Sequence, residues 1–201
     1  MSSAPIAPDW DTHYRDANTP WDLGGHAALV QRLAAEHLSP GLDILVPGCG
    51  LAHDVEALAQ RGHRVTGLDI APTAVSQASA RFAERGLSRA SVRLGNFLST
   101  DELPEGHFDA LIEHTCYCAL DPSLWPGYVQ AASHALKPGG LLLGAFLCFD
   151  GGGPPFGTSL EALRAQFETA FEIVHLRVAA ERFVPKDVPQ MEAVFQRRTA
   201  R

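Results

Sequence analysis

A surplus of positive charge is the first thing this chain lacks: among 201 residues, 16 Lys and Arg face 23 Asp and Glu, a formal net charge of -7 at pH 7. Proteins that grip a phosphate backbone cluster Lys and Arg to displace its counterions, so no nucleic-acid partner is expected. No apolar run approaches the ~18 residues of a membrane span. The opening MSSAPIAPDWDTH has neither the charged segment nor the apolar stretch of a secretory signal. A soluble, cytoplasmic, monomeric protein without membrane association is expected. Cysteine is scarce as well. Cys49, Cys116, Cys118 and Cys148 form no CxxC pair and no metal-ligand spacing, so buried reduced thiols and no metal are expected. Internal repeats are absent, and Gly and Pro concentrate only in DGGGPPFG (150–157), which reads as a loop.

What is present is alternation. Short apolar runs (LDILV, RVTGLD, ASVRLGN, FDALIEH, GGLLLGAFLC) are separated by helix-period segments, the pattern of β-α-β units on a parallel sheet. FEIVHLRVAA and MEAVFQR then follow with no helix between them, which predicts an antiparallel pair at one edge. The expected fold is a seven-stranded, mostly parallel α/β sheet with helices on both faces. It is read as one domain over 1–201, with 1–40 as an N-terminal lid and helix and 41–201 as a Rossmann-like core.

In LVPGCGLAHDV (45–55), Gly48 and Gly50 occupy the turn between the first strand and a helix starting near Ala52. Glycines there let the backbone approach a ligand and expose N–H groups at a helix start. Asp69 closes the next strand, nineteen residues past Gly50, where a carboxylate can accept both ribose hydroxyls of an adenosine. A dinucleotide would want a third glycine at position 53, which is His53. S-adenosylmethionine has no phosphate and needs only the shorter turn. Asn96 and Phe97 after the third strand can meet adenine, with Ile70 beside Asp69. LKPGG leads into the fifth strand. In this order the segments outline a class I methyltransferase.

WDTHYRDANTPWDLG (10–24), LVPGCGLAHDV, GLDIAPTAV (67–75), FDALIEHTCYCALDP (108–122), LKPGG and GGGPPF (151–156) resemble the thiopurine methyltransferase superfamily, within it the plant-type halide/thiol methyltransferases. The resemblance implies an S-adenosylmethionine site to which Trp10, Trp21, Gly48, Asp69, Asn96 and Phe97 contribute. The chain departs from the family in having Tyr14 for a second tryptophan, His114 for a tyrosine, and GCGLAHDV for GCGGGHDV. Read from spacing, Trp10 and Tyr14 at i and i+4 share a helix face and, with Trp21, can close a lid over the cofactor or staple the leader to the core.

Methyl transfer from a sulfonium is an in-line displacement helped by alignment and a dry site. The acceptor pocket is expected to be lined by His13, His114, Tyr117, Phe146, Phe149 and Phe156. His114 and Tyr117 are the catalytic candidates: His114 can position the acceptor, take a thiol proton, contact the cofactor or simply pack. Glu113 can hold the cofactor's amino group or cap the strand. The expected activity is methylation of small soft nucleophiles, thiols (thiopurine, hydrosulfide) before halides or selenium and tellurium species. O- or N-methylation of a small metabolite, an NAD-dependent oxidoreductase and a non-catalytic adenosyl-ligand sensor are the rivals.

Overall fold

The computed structural model describes residues 8–183 and 187–199. Two helices come first, α1 (Trp10–Arg15) and α2 (Ala28–His37), then β1 (Asp43–Pro47), α3 (His53–Gln60), β2 (Arg64–Asp69), α4 (Pro72–Glu84) and β3 (Ala90–Leu94). The second half runs β4 (Phe108–His114), α5 (Trp125–Ala135), β5 (Leu136–Leu147), α6 (Leu160–Phe167), β6 (Phe171–Phe183) and β7 (Val188–Arg197). The helix starts carry their expected signals: Asp9 accepts from Thr12 N at α1, Pro72 opens α4, and Ser159 accepts from Ala162 N at α6.

The seven strands form one sheet in the order β3-β2-β1-β4-β5-β7-β6. β1 pairs in parallel with both β2 and β4, and β7 inserts antiparallel between β5 and β6. The two helix-free strands therefore do form the antiparallel edge. LKPGG differs in detail. It lies inside β5, where the register with β4 jumps between Phe108 and Ala110 and Gly139 takes φ 79°.

Strand alternation decides what each residue meets. Ile44, Val46, Ala110, Ile112, Leu143 and Ala145 face the layer holding α2 and α3. Leu45, Leu111, Leu142 and Phe146 face the other, which holds α5 and α6. Tyr117, Tyr128, Phe146, Phe167 and Phe195 are almost wholly buried there, each contributing about 1.5–3 kcal/mol by leaving water. The order in which strands are added switches sides between the parallel neighbours β1 and β4, and the crevice beyond their carboxyl ends is where such sheets bind ligands. No helix among the described residues is long and apolar enough to cross a membrane. Cys116 and Cys118 are buried, Cys49 and Cys148 half-buried.

Candidate active site

At the end of β1 the chain turns through Gly48 (φ 55°) and Gly50 (φ 51°), then Ala52 in the left-handed region, before α3 begins. Asp69 holds this turn rigid: Oδ2 accepts from Gly50 N at 2.7 Å and Oδ1 from Ala71 N at 2.8 Å. Burial pushes the Asp69 carboxyl up, against those backbone donors. Two acceptor positions are used, leaving lone pairs for a ligand hydroxyl pair. Asp69 and Gly48 both line a cavity of about 320 Å³. The glycines have a further reason the sequence does not disclose. A Cβ at Gly50 would lie 2.5 Å from Tyr14 Oη, and one at Gly48 would lie 2.8 Å from Cys116 Sγ.

The N-terminal segment forms one wall of this cavity. Asp11 Oδ1 accepts from Thr73 N at 2.7 Å, fastening α1 to the start of α4. Trp21 Nε1 donates to Tyr14 Oη at 3.2 Å, and Trp10 meets Trp21 edge-on at 5.3 Å between ring centres. His53 Nε2, at the start of α3, stands 3.2 Å from Asp22 Oδ1. Trp10, His13, Tyr14 and Trp21 all line the cavity. His13 thus shares the tryptophan wall, 5.2 Å from Trp21. Tyr14 is buried under Trp21, and burial raises its hydroxyl above the ordinary tyrosine range.

Beyond Asp69, Ile70 keeps 47% of its surface exposed and lines the cavity, an apolar platform next to the carboxylate. Asn96 and Phe97 line it too. Asn96 Oδ1 accepts from Leu98 N at 3.0 Å, an Asx turn that fixes the loop, and Phe97 packs on Tyr128 at 5.0 Å.

At the opposite end the structure corrects several placements. Tyr117 and Phe146, expected at the acceptor, lie in the core. Tyr117 stacks on Trp125 at 4.6 Å, with its hydroxyl buried and unpartnered, and Phe146 points to the α6 face because of its strand parity, folding over Gly144. Phe149 packs against Cys118, Leu147 and Phe183, and Phe156 against the main core; neither is among the cavity-lining residues. The rim instead presents Cys118, Leu147, Pro154, Pro155 and Phe183. Glu113 and Gly50 are likewise outside the wall. Parity sends Glu113 toward α5, where it accepts from Tyr117 N at 2.9 Å and Tyr128 Oη at 2.5 Å; burial pushes its carboxyl up to about 7. His114, on the other parity, meets Asp54 of α3 at 3.0 Å.

Thr115, next along, lines the cavity with φ 67°. This left-handed backbone is strained for a β-branched residue. Sequence reasoning missed Asp54 because its partner lies 60 residues away, and it missed Phe183 because only the length of β6 carries that ring to the cavity. Among the described residues no cluster of three His, Cys, Asp or Glu could hold a metal ion.

The cavity suits an adenosyl ligand: a carboxylate with free acceptor positions, an exposed apolar platform beside it, and a glycine turn with no side chain to fill the space. The family model for thiopurine S-methyltransferase matches residues 7–198. The chain is 34% identical over 156 residues to probable thiol methyltransferase 2 of Arabidopsis thaliana, covering 75% of this chain and 67% of that protein. It is 32% identical over 152 residues to thiocyanate methyltransferase 1 of Brassica oleracea, covering 73% and 66%. These matches span about two thirds of the plant proteins' lengths. The solved structure of Burkholderia thailandensis 1,6-didemethyltoxoflavin-N1-methyltransferase, with bound 1,6-didemethyltoxoflavin and S-adenosylhomocysteine, has the same fold. Its TM-score is 0.75 at 20% identity, over 98% of this chain and 94% of that one. By its sequence match across nearly the whole chain and by its class I fold, the protein belongs to the thiopurine S-methyltransferase family of S-adenosylmethionine-dependent methyltransferases.

Proposed function

We propose that this methyltransferase acts on small soft nucleophiles, thiols first, with halides and selenium or tellurium species behind. The observation that carries the reading is the character of the acceptor end. Cys118, Leu120, Leu147, Pro154, Pro155 and Phe183 enclose it, and Asp69, at the cofactor end, is the one carboxylate or basic Lys/Arg side chain among the described lining residues. An apolar enclosure strips water from a thiolate and aligns it, which is most of what a sulfonium displacement requires. The methyl donor supplies an electrophilic methyl on a cationic sulfur. Trp10, Trp21, Gly48, Asp69, Ile70, Asn96 and Phe97 hold it, while Tyr14 and Gly50 shape the turn behind it. His114, one residue from the cavity wall, serves the acceptor's proton.

The chain acts as one methyltransferase unit, with 1–40 as the lid and helix and 41–201 as the core. The net charge of -7 supports a small-molecule rather than a nucleic-acid partner, and the reading is of a cytoplasmic monomer. The test is to incubate the purified protein with S-adenosylmethionine and thiophenol, hydrosulfide, 6-mercaptopurine, iodide or catechol, each separately, measuring S-adenosylhomocysteine and each methylated product. Turnover on thiols with little on catechol is expected. Turnover on catechol alone would replace the soft-nucleophile reading with O-methylation.

A further inference from the structure

Asp54 is the second residue of α3, and it is buried. Both of its oxygens are engaged. Oδ1 accepts from Ala27 N at 3.0 Å and Gln31 Nε2 at 3.3 Å, and Oδ2 lies 3.0 Å from His114 Nδ1. Burial disfavours the charge, but His114, Ala27 N and Gln31 outweigh it and hold the carboxyl below the ordinary range. An ionised carboxylate only accepts, so Nδ1 carries the hydrogen, and an imidazole bearing that single hydrogen has its lone pair at Nε2. Among the described residues Nε2 has no hydrogen-bond partner. The His114 ring is not part of the cavity wall, yet both its chain neighbour Thr115 and its ring partner Phe183, edge-on at 6.4 Å, are.

We propose that Asp54 is a positioning residue that fixes His114 with its free Nε2 as the proton acceptor for the methyl acceptor, so that the acceptor class is protic, S–H first, rather than halide. This rests on the soft-nucleophile reading and narrows it, because a halide has no proton to lose. The acceptor's S–H proton passes to Nε2, directly or through one water. The sulfur's electron pair forms the bond to the methyl carbon as the donor's C–S bond breaks, leaving that pair on the donor sulfur. The imidazolium is held beside the Asp54 carboxylate until its proton leaves to water.

Two measurements test it. In ¹⁵N-histidine-labelled wild-type protein at pH 8, without cofactor, long-range ¹H–¹⁵N correlations should show His114 protonated at Nδ1 and bare at Nε2, with the signals assigned by their loss in His114→Gln. An Nε2–H tautomer would overturn the proposal without any variant having to fold. In Asp54→Asn the amide turns a donor toward Nδ1, so the hydrogen moves to Nε2. Turnover of an alkanethiol, which must be deprotonated, should then fall at least about tenfold more than turnover of thiophenol, which is largely ionised at that pH. Equal losses on both thiols would reduce Asp54 to a structural role. If wild-type protein methylates neither thiol, the soft-nucleophile reading fails, and the tautomer measurement still decides the geometry of the pair.

Discussion

Replacing Gly50 with alanine puts a Cβ 2.5 Å from the Tyr14 hydroxyl oxygen on a backbone with φ +51°. The left-handed backbone alone costs about 1–2 kcal/mol, and the collision adds to it. Tyr14→Phe removes the oxygen and leaves the next ring atom at 3.5 Å, an ordinary contact. Gly50→Ala is therefore expected to lose about 2–3 kcal/mol in the wild-type background and about 1–2 kcal/mol beside Tyr14→Phe, read by denaturant unfolding. Equal losses in the two backgrounds would remove Tyr14 as the reason for the glycine. Glu113 makes a second residue-scale prediction. Its carboxyl is raised from 4.5 to about 7 by burial, so its stabilising contribution is complete below 4.5 and disappears as pH rises through 7. Between pH 5 and 8 the wild type should lose about 2 kcal/mol relative to Glu113→Gln, which keeps the acceptor for Tyr117 N. Parallel stability curves for the two proteins would contradict this.

Among the elements, α1 matters most to the site, because a parallel sheet does not need it and the cavity does. Its spacing showed that Trp10 and Tyr14 share a face; it did not show that Tyr14 would be buried behind Trp21 against the glycine turn. What seats α1 is Asp11 on the first turn of α4, a backbone N–H at 2.7 Å. Losing such a cap costs about 1 kcal/mol. If docking of α1 is coupled to ligand binding, Asp11→Ala should weaken S-adenosylmethionine affinity about three- to tenfold by calorimetry, with Asp69→Ala weakening it further. Unchanged affinity in Asp11→Ala would make α1 a structural staple and not a lid. The β4 end teaches the same lesson about legibility. FDALIEHT was readable as a strand that reaches the site, and its alternation implies that Glu113 and His114 point opposite ways. Which helix each would meet depended on the order of strands.

Across the whole molecule, a charged knot joins α2 to the antiparallel edge. Glu192 of β7, 1% exposed, is engaged by Arg32 of α2 and by His175 and Arg177 of β6, while Arg32 also reaches Glu181 at 2.9 Å. Burial alone would raise the Glu192 carboxyl; Arg32, His175 and Arg177 reverse that and bring it to about 2. A depressed carboxylate stabilises above its unfolded value of 4.5 and loses that contribution as pH falls toward 2. Arg32→Met should cost about 2–4 kcal/mol at pH 7, because it removes one partner from a buried charge. The deficit should shrink as pH drops from 4.5 toward 2. A deficit independent of pH would assign the loss to the packing of α2 alone.

Local rules determined a good deal from the sequence by itself: alternating strands and helices, a helix-free pair that closes the sheet antiparallel, a glycine turn with Asp69 one strand later, and an aromatic leader. Each follows from periodicity or backbone preference within a few residues, or from spacing across one β-α-β unit. Tertiary structure alone decided the rest. It set Tyr14 against Gly50, sank Tyr117 and Phe146 into the core, brought Phe183 and the two prolines to the cavity rim, and joined Asp54 to His114 across 60 residues. Those contacts depend on strand order and side-chain parity together, and a burial choice made by the whole core is not encoded in any one window of sequence.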